Sequence, residues 1–252
     1  MALHNDFKIT TSRTWPLVAL AINDSVDLDM LPFWISSGVD LLELRVDQYT
    51  EKNLGAVQTH VIDCAQLAPC LLTLRAAWEG GQWHLSEDER LVWYLTLMEN
   101  MVAIDVELST DHTIRNEIIN TAHKKNKQVI LSYHNFETTP EPETMHQKAK
   151  DAWDAGADVF KIAATCNDYT DLHKLAKLTL DYADQNIVVI GMGKIATISR
   201  ICFPALGSKI TYTFLGQPTA PGQLNCEATL EYLSTFYPDR IKFIKKDNEM
   251  AC

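Results

Sequence analysis

No stretch of this 252-residue chain reaches about 18 consecutive apolar residues, so no membrane-spanning helix is expected. The opening Met1-Ala2-Leu3-His4-Asn5-Asp6 lacks the basic-then-apolar layout of a secretory leader, and a cytoplasmic location is expected. Positive charge is in short supply: 22 Lys and Arg stand against 33 Asp and Glu, a formal charge of −11, which disfavours nucleic acid and anionic membranes as partners. Six cysteines (Cys64, Cys70, Cys166, Cys202, Cys226, Cys252) show no Cys-x-x-Cys spacing, which argues against a structural zinc site and a disulfide framework. Low-complexity tracts and linker-like segments are also missing, so residues 1–252 are expected to form a single domain.

What is present is 46% hydrophobic residues, ample for a core, gathered into eight β-rich runs. These are Leu17 to Ile22, Leu41 to Val46, Cys70 to Arg75, Ala103 to Leu108, Val129 to His134, Val159 to Ala164, Ile187 to Met192 and Ile210 to Leu215. Stretches of helical period separate them. Ser86-Glu87-Asp88-Glu89 predicts a capping box opening a helix through Met98, and Thr139-Pro140 predicts the cap and start of another. Eight strands alternating with helices over about 250 residues is the footprint of an α/β fold of the (β/α)8 TIM-barrel type. Residues 1–16 precede the first strand and would form an N-terminal extension over the barrel floor.

An internal echo supports the barrel: Ser37-Gly38-Val39-Asp40-Leu41-Leu42-Glu43-Leu44 matches Ala155-Gly156-Ala157-Asp158-Val159-Phe160-Lys161-Ile162. In each, a glycine suited to a helix C-terminus leads into a strand, and a charged residue follows five positions later. Glu43 and Lys161 should therefore lie at similar depth, inside the barrel and toward its C-terminal mouth, where barrel active sites are built.

Lys161, within Val159-Phe160-Lys161-Ile162-Ala163-Ala164, is a charge with no obvious place in an apolar strand. Glu43, Arg45 and Asp47 intrude likewise, on one face by strand alternation; Arg75 follows Leu71-Leu72-Thr73-Leu74, and His134 follows Val129-Ile130-Leu131-Ser132-Tyr133. Desolvating so many charges is costly unless they pair or meet a polar ligand. A lysine desolvated beside arginines can present the neutral amine that attacks a carbonyl, and a neighbouring imidazole suits general acid–base work. An anionic ligand would require a locally positive site, which Arg45, Arg75, Arg200 and Lys161 could supply. The blander readings are an edge-strand lysine, a loop histidine, a surface salt bridge between Arg75 and Glu79, and a self-neutralising Glu43–Arg45–Asp47 network. The loops after strands seven and eight often bind phosphate in barrels, and the Gly207-Ser208 pair is a weak signal of that kind.

Taken in order, Glu43-Leu44-Arg45-Val46-Asp47, Thr73-Leu74-Arg75 with Glu79-Gly80-Gly81, Ser132-Tyr133-His134-Asn135-Phe136 with Thr139-Pro140, Lys161-Ile162-Ala163, Met192-Gly193 with Ser199-Arg200, Gly207-Ser208 and Ala220-Pro221-Gly222-Gln223 resemble the type I 3-dehydroquinate dehydratases. That resemblance spans most of the chain. It implies dehydration of 3-dehydroquinate to 3-dehydroshikimate in the shikimate pathway through an imine on Lys161, with His134 as base and acid and Glu79 orienting it. It further implies that Glu43, Arg45 and Arg75 hold ring hydroxyls, that Arg200 and Gln223 bind the carboxylate and nearby oxygens, and that Thr219 stands where the family carries a serine. No metal and no organic cofactor are implied, and a homodimer is. Two other readings of a strand lysine are a Schiff-base aldolase or transaldolase acting on phosphorylated sugars, and a catalytically dead barrel used as a binding module.

Overall fold

The computed structural model describes residues 4, 6–9 and 15–240. Eight strands among them form one parallel sheet: β1 (Leu17–Ile22), β2 (Leu41–Arg45), β3 (Cys70–Thr73), β4 (Ala103–Glu107), β5 (Gln128–Asn135), β6 (Val159–Thr165), β7 (Ile187–Met192) and β8 (Ile210–Phe214). Each is followed by a helix: α1 (Leu31–Ser36), α2 (Leu54–Leu67), α3 (Glu87–Leu97), α4 (His112–Lys124), α5 (Pro142–Asp154), α6 (Tyr169–Asp181), α7 (Ser199–Leu206) and α8 (Cys226–Phe236). The strand order β7-β6-β5-β4-β3-β2-β1-β8 wraps the sheet into a nearly closed TIM barrel.

The remaining seam, between β7 and β8, carries no strand ladder among the described residues. Lys209 N–H donates to the Ile187 carbonyl at 2.9 Å, while the Val189 and Gly191 N–H groups donate to the hydroxyls of Ser208 (3.1 Å) and Ser199 (3.0 Å). Buried amides need partners, and here two serines replace a strand. Gly207-Ser208 thus lies at the N-terminal end of β8, opposite the mouth, which removes it as a phosphate cradle.

Strand alternation divides the apolar residues into two cores. Leu42, Leu44, Leu72, Ile104, Val129, Leu131, Phe160, Ile162 and Val189 face the helices. Leu17, Leu41, Leu71, Ala103, Ile130, Val159, Val188 and Ile210 fill the barrel floor. Ile9, 1% exposed, joins this inner cluster and donates its N–H to Gln128 Oε1 at 2.6 Å, so the part of the N-terminal extension that is described reaches the floor. The expectation for its other residues, and Cys252, fall outside the described residues.

The capping box at Ser86 is present in full, with Ser86 Oγ accepting from Glu89 N–H and the Glu89 carboxylate accepting from Ser86 N–H. Thr139-Pro140 does not start a helix. α5 begins at Pro142, which occupies its first turn, after Glu141. Thr139 instead donates its hydroxyl to the Thr165 carbonyl at 2.9 Å, tying the loop to β6. The echoed glycines behave as expected: Gly38 (φ 119°) and Gly156 (φ 99°) end α1 and α5 in a conformation that disfavours side chains, and β2 and β6 then place Glu43 and Lys161 as third residues. No helix among the described residues is long and apolar enough to cross a membrane.

Candidate active site

Above the apolar floor, the next inward position on most strands is polar. Glu43, Thr73, Asp105, Ser132, Lys161 and Tyr212 form that layer, all buried, and Arg45, Arg75, Glu107 and His134 follow above them. Ile190 and Met192 keep the β7 side apolar. The result is a cleft at the C-terminal mouth. All nine predicted site residues line it: Glu43, Arg45, Arg75, Glu79, His134, Lys161, Arg200, Thr219 and Gln223.

Lys161, only 4% exposed, donates from Nζ to Asp105 Oδ2 at 2.8 Å, lies 3.8 Å from Glu43 Oε1, and stands 4.1 Å above the centre of the Tyr212 ring. Its closest charged neighbours are therefore carboxylates, where arginines were expected. Asp105 is clamped from two sides, since its Oδ1 pairs with Arg75 Nη2 at 2.8 Å and accepts from Ser132 Oγ at 2.6 Å. Burial alone would raise its pKa, but Arg75 and Lys161 outweigh that and hold it well below the usual carboxylate range. Arg75 also bonds Glu107 at 2.8 Å, and Glu107 bonds the fully buried Arg90 of α3 at 2.5 Å, so alternating charges run from α3 to Lys161. Burial works against Arg75, yet Asp105 and Glu107 keep it firmly protonated.

The supposed surface pair of Arg75 with Glu79 does not form. Glu79 is buried and turns to His134, accepting from its backbone N–H at 2.9 Å and lying 3.0 Å from Nδ1. The turn that carries Glu79 depends on the glycine pair after it. Gly80 adopts φ 78° with the Phe136 ring so close that a Cβ would meet it at 2.3 Å, and a Cβ on Gly81 would stand 2.0 Å from the Arg75 carbonyl. His134 is held well below its ordinary pKa by burial and by the cations Arg75 and Lys161, so its imidazole is neutral at pH 7. Burial pushes Glu79 up to about 7, although three donors face its oxygens and favour the carboxylate. With the proton on Nδ1 directed to Glu79, Nε2 is left as the basic atom of the ring.

β2 ends at Arg45, and Asp47 lies in the tight turn Val46–Gln48, so the expected three-residue face is shared only by Glu43 and Arg45. Asp47 takes Arg45 in a two-pronged pair at 3.0 and 2.9 Å, while Glu43 accepts from Thr73 at 3.0 Å and stays beside Lys161. The self-neutralising reading thus fits Arg45 and Asp47 alone.

Arg200 differs from the other cations. It is 4% exposed, its Nε donates to the Gly222 carbonyl at 3.0 Å and Nη2 to that of Pro221 at 3.4 Å, and no carboxylate pairs with it among the described residues. Burial draws it down to about 10. The site is positive at this one end only, because Arg45, Arg75 and Lys161 all have carboxylate partners. Next to it, Gln223 Oε1 accepts from Thr219 N–H at 2.8 Å and Thr219 Oγ1 at 3.0 Å, leaving the amide Nε2 as a donor without a partner among the described residues.

Sequence reasoning missed Asp105, Glu107, Tyr212 and Ser109. Asp105 and Glu107 carried the same signal that singled out Lys161, charges in the apolar run Ala103-Ile104-Asp105-Val106-Glu107. Tyr212 reads as an ordinary strand aromatic and Ser109 as an ordinary loop residue. Among the described residues, no cluster of three or more His, Cys, Asp or Glu has the geometry to hold a metal ion.

Residues 19–240 match the family model for type I 3-dehydroquinase. A 3-dehydroquinate dehydratase of Methanococcoides burtonii is 35% identical over 192 residues, 75% of this chain and 82% of that protein. The crystal structure of the 3-dehydroquinate dehydratase from Aquifex aeolicus superposes with a TM-score of 0.78 at 29% identity, covering 88% of this chain and 99% of that one. A type I enzyme from Clostridium difficile, crystallised with covalently modified comenic acid, gives 0.77 at 28% identity, with 88% and 93% covered.

Proposed function

Because the chain belongs to the type I 3-dehydroquinase family, we propose that it dehydrates 3-dehydroquinate to 3-dehydroshikimate, a lyase reaction, through an imine formed on Lys161. The observation that carries this reading is Lys161 at the foot of the cleft, paired with Asp105 and in a site whose neutral histidine has Glu79 on Nδ1.

Lys161 Nζ adds to the ketone at ring carbon 3, and loss of water gives a protonated imine. The positive charge stays on the same nitrogen, so Asp105 and Glu43 remain its counter-ions and the Tyr212 face lies below it. Electron withdrawal by the imine acidifies the proton on carbon 2, which His134 Nε2 removes. The enamine then expels the carbon 1 hydroxyl, to which His134 returns the proton, and water hydrolyses the imine to free Lys161 and product. Glu79, ionised, accepts a hydrogen bond from Nδ1–H throughout. Arg200 binds the carboxylate, with Gln223 Nε2 and Thr219 closing over it, which orients the ring so that its hydroxyls meet Glu43, Arg45 and Arg75. The unusual threonine keeps its hydroxyl on Gln223, so the loop closes as a serine would allow.

A phosphorylated-sugar aldolase is disfavoured because Gly207-Ser208 is at the wrong end of the barrel and, among the described residues lining the cleft, only Arg200 offers a cation without a carboxylate partner. A homodimer remains part of the proposal by family membership. Borohydride added during turnover should inactivate the enzyme and add the reduced ligand mass to the peptide bearing Lys161. Labelling at another lysine, or no labelling while 3-dehydroquinate is being consumed, refutes the imine assignment.

A further inference from the structure

Glu79 is held on the side facing away from His134 as well. Its Oε1 accepts from Ser109 Oγ at 2.5 Å, and Ser109 Oγ in turn accepts from Trp78 Nε1 at 3.1 Å. An indole N–H can only donate, so the serine oxygen must accept from it, and the single hydroxyl proton is directed to Glu79. A path of hydrogen bonds therefore runs Trp78, Ser109, Glu79, His134. Neither Ser109 nor Trp78 lines the cleft, and Trp78 is 56% exposed, a large apolar side chain kept at the surface with its one polar atom engaged in this path.

We propose that Ser109, oriented by Trp78, is a positioning residue that keeps Glu79 ionised and turned toward His134, and thereby keeps Nε2 of the histidine available as the base. The groups facing Glu79 are Arg75 from the loop after β3, Glu107 from β4 and His134 from β5. Arg75 and the Ser109 hydroxyl favour the carboxylate; burial and Glu107 oppose it. Arg75 already divides its charge between Asp105 and Glu107, so on Glu79 Oε1 Ser109 is the one donor among the described residues. A protonated Glu79 would keep only one carbonyl oxygen as a full acceptor, so of the Ser109 bond on Oε1 and the His134 N–H bond on Oε2 the one facing the new hydroxyl would be weakened. The inference rests on the roles given above to His134 and Glu79.

The test is the pH dependence of kcat and KM for 3-dehydroquinate in the wild type and in Ser109→Ala, Ser109→Thr, Trp78→Phe and Glu79→Gln. Loss of one hydrogen bond to a charged acceptor should raise the acid limb of kcat in Ser109→Ala by about one pH unit, a roughly tenfold loss below the limb and little above it. KM should stay unchanged, because the serine does not reach the cleft. Ser109→Thr should restore the wild-type limb, and Trp78→Phe should shift it in the same direction by less. A loss equal at all pH values, an unshifted limb, or failure of threonine to rescue a folded protein overturns the role of Ser109. Glu79→Gln cannot titrate and should lack the limb. If the limb survives in Glu79→Gln while the wild type turns over substrate, the assignment of Glu79 falls; if it vanishes there but Ser109→Ala is unshifted, only the inference about Ser109 falls.

Discussion

Arg200 should add little net stability to the free protein while being required for the bound one. Burial without a carboxylate partner among the described residues draws it down to about 10, which works against the charged form by roughly 3 kcal/mol. Arg200→Met keeps much of the aliphatic bulk, removes the charge, and gives up two bonds from a charged donor to the Gly222 and Pro221 carbonyls, at about 1.5 kcal/mol each. The two terms cancel, so the Tm of the ligand-free variant should stay within about 2 °C of the wild type. Binding should not be neutral. Losing a buried, forked contact to a carboxylate costs roughly 2–5 kcal/mol, which is about 30-fold to several-thousand-fold in affinity. Arg200→Lys should also weaken binding despite its charge, because an ammonium cannot present two parallel donors. Thermal unfolding of the free variants reads the first effect, and titration with 3-dehydroquinate and an analogue lacking the carboxylate reads the second. If Arg200→Met penalises both ligands equally, or lowers the Tm of the free protein by several degrees, Arg200 is a structural residue and the carboxylate does not bind there.

His134→Ala should lose at least about a hundredfold in turnover, the usual scale of general acid–base catalysis, while still accumulating a borohydride-trappable imine; near-normal turnover refutes its role. Tyr212→Phe should keep activity and the ring beneath Lys161 while gaining stability. The Tyr212 hydroxyl is buried with no hydrogen-bond partner among the described residues, so removing it relieves up to about 1–3 kcal/mol, readable as a higher denaturant midpoint. A drop in kcat with an unchanged midpoint would show that the hydroxyl acts on the substrate instead.

The sequence alone determined which strands exist, which face of each points inward and how deep Glu43 and Lys161 lie, because side-chain alternation has a fixed period of two and a glycine marks the end of the helix before β2 and before β6. Glu43 and Lys161 are therefore placed at one level by the sequence alone, although their 3.8 Å approach across the barrel is not. Local capping at Ser86 was equally plain, since donor and acceptor are three residues apart. What the tertiary structure decided is which charges meet across the barrel. Arg75 is four residues from Glu79, yet pairs with Asp105 and Glu107, and Glu79 turns to a histidine 55 positions away. Depth along a strand is written in its own alternation, but the angle at which two strands face each other depends on how all eight wrap. The same wrapping left three of the four cations neutralised and Arg200 alone without a carboxylate partner among the described residues, so packing set the end of the site proposed to hold the anion, through the desolvation of a charge left for a ligand to pair.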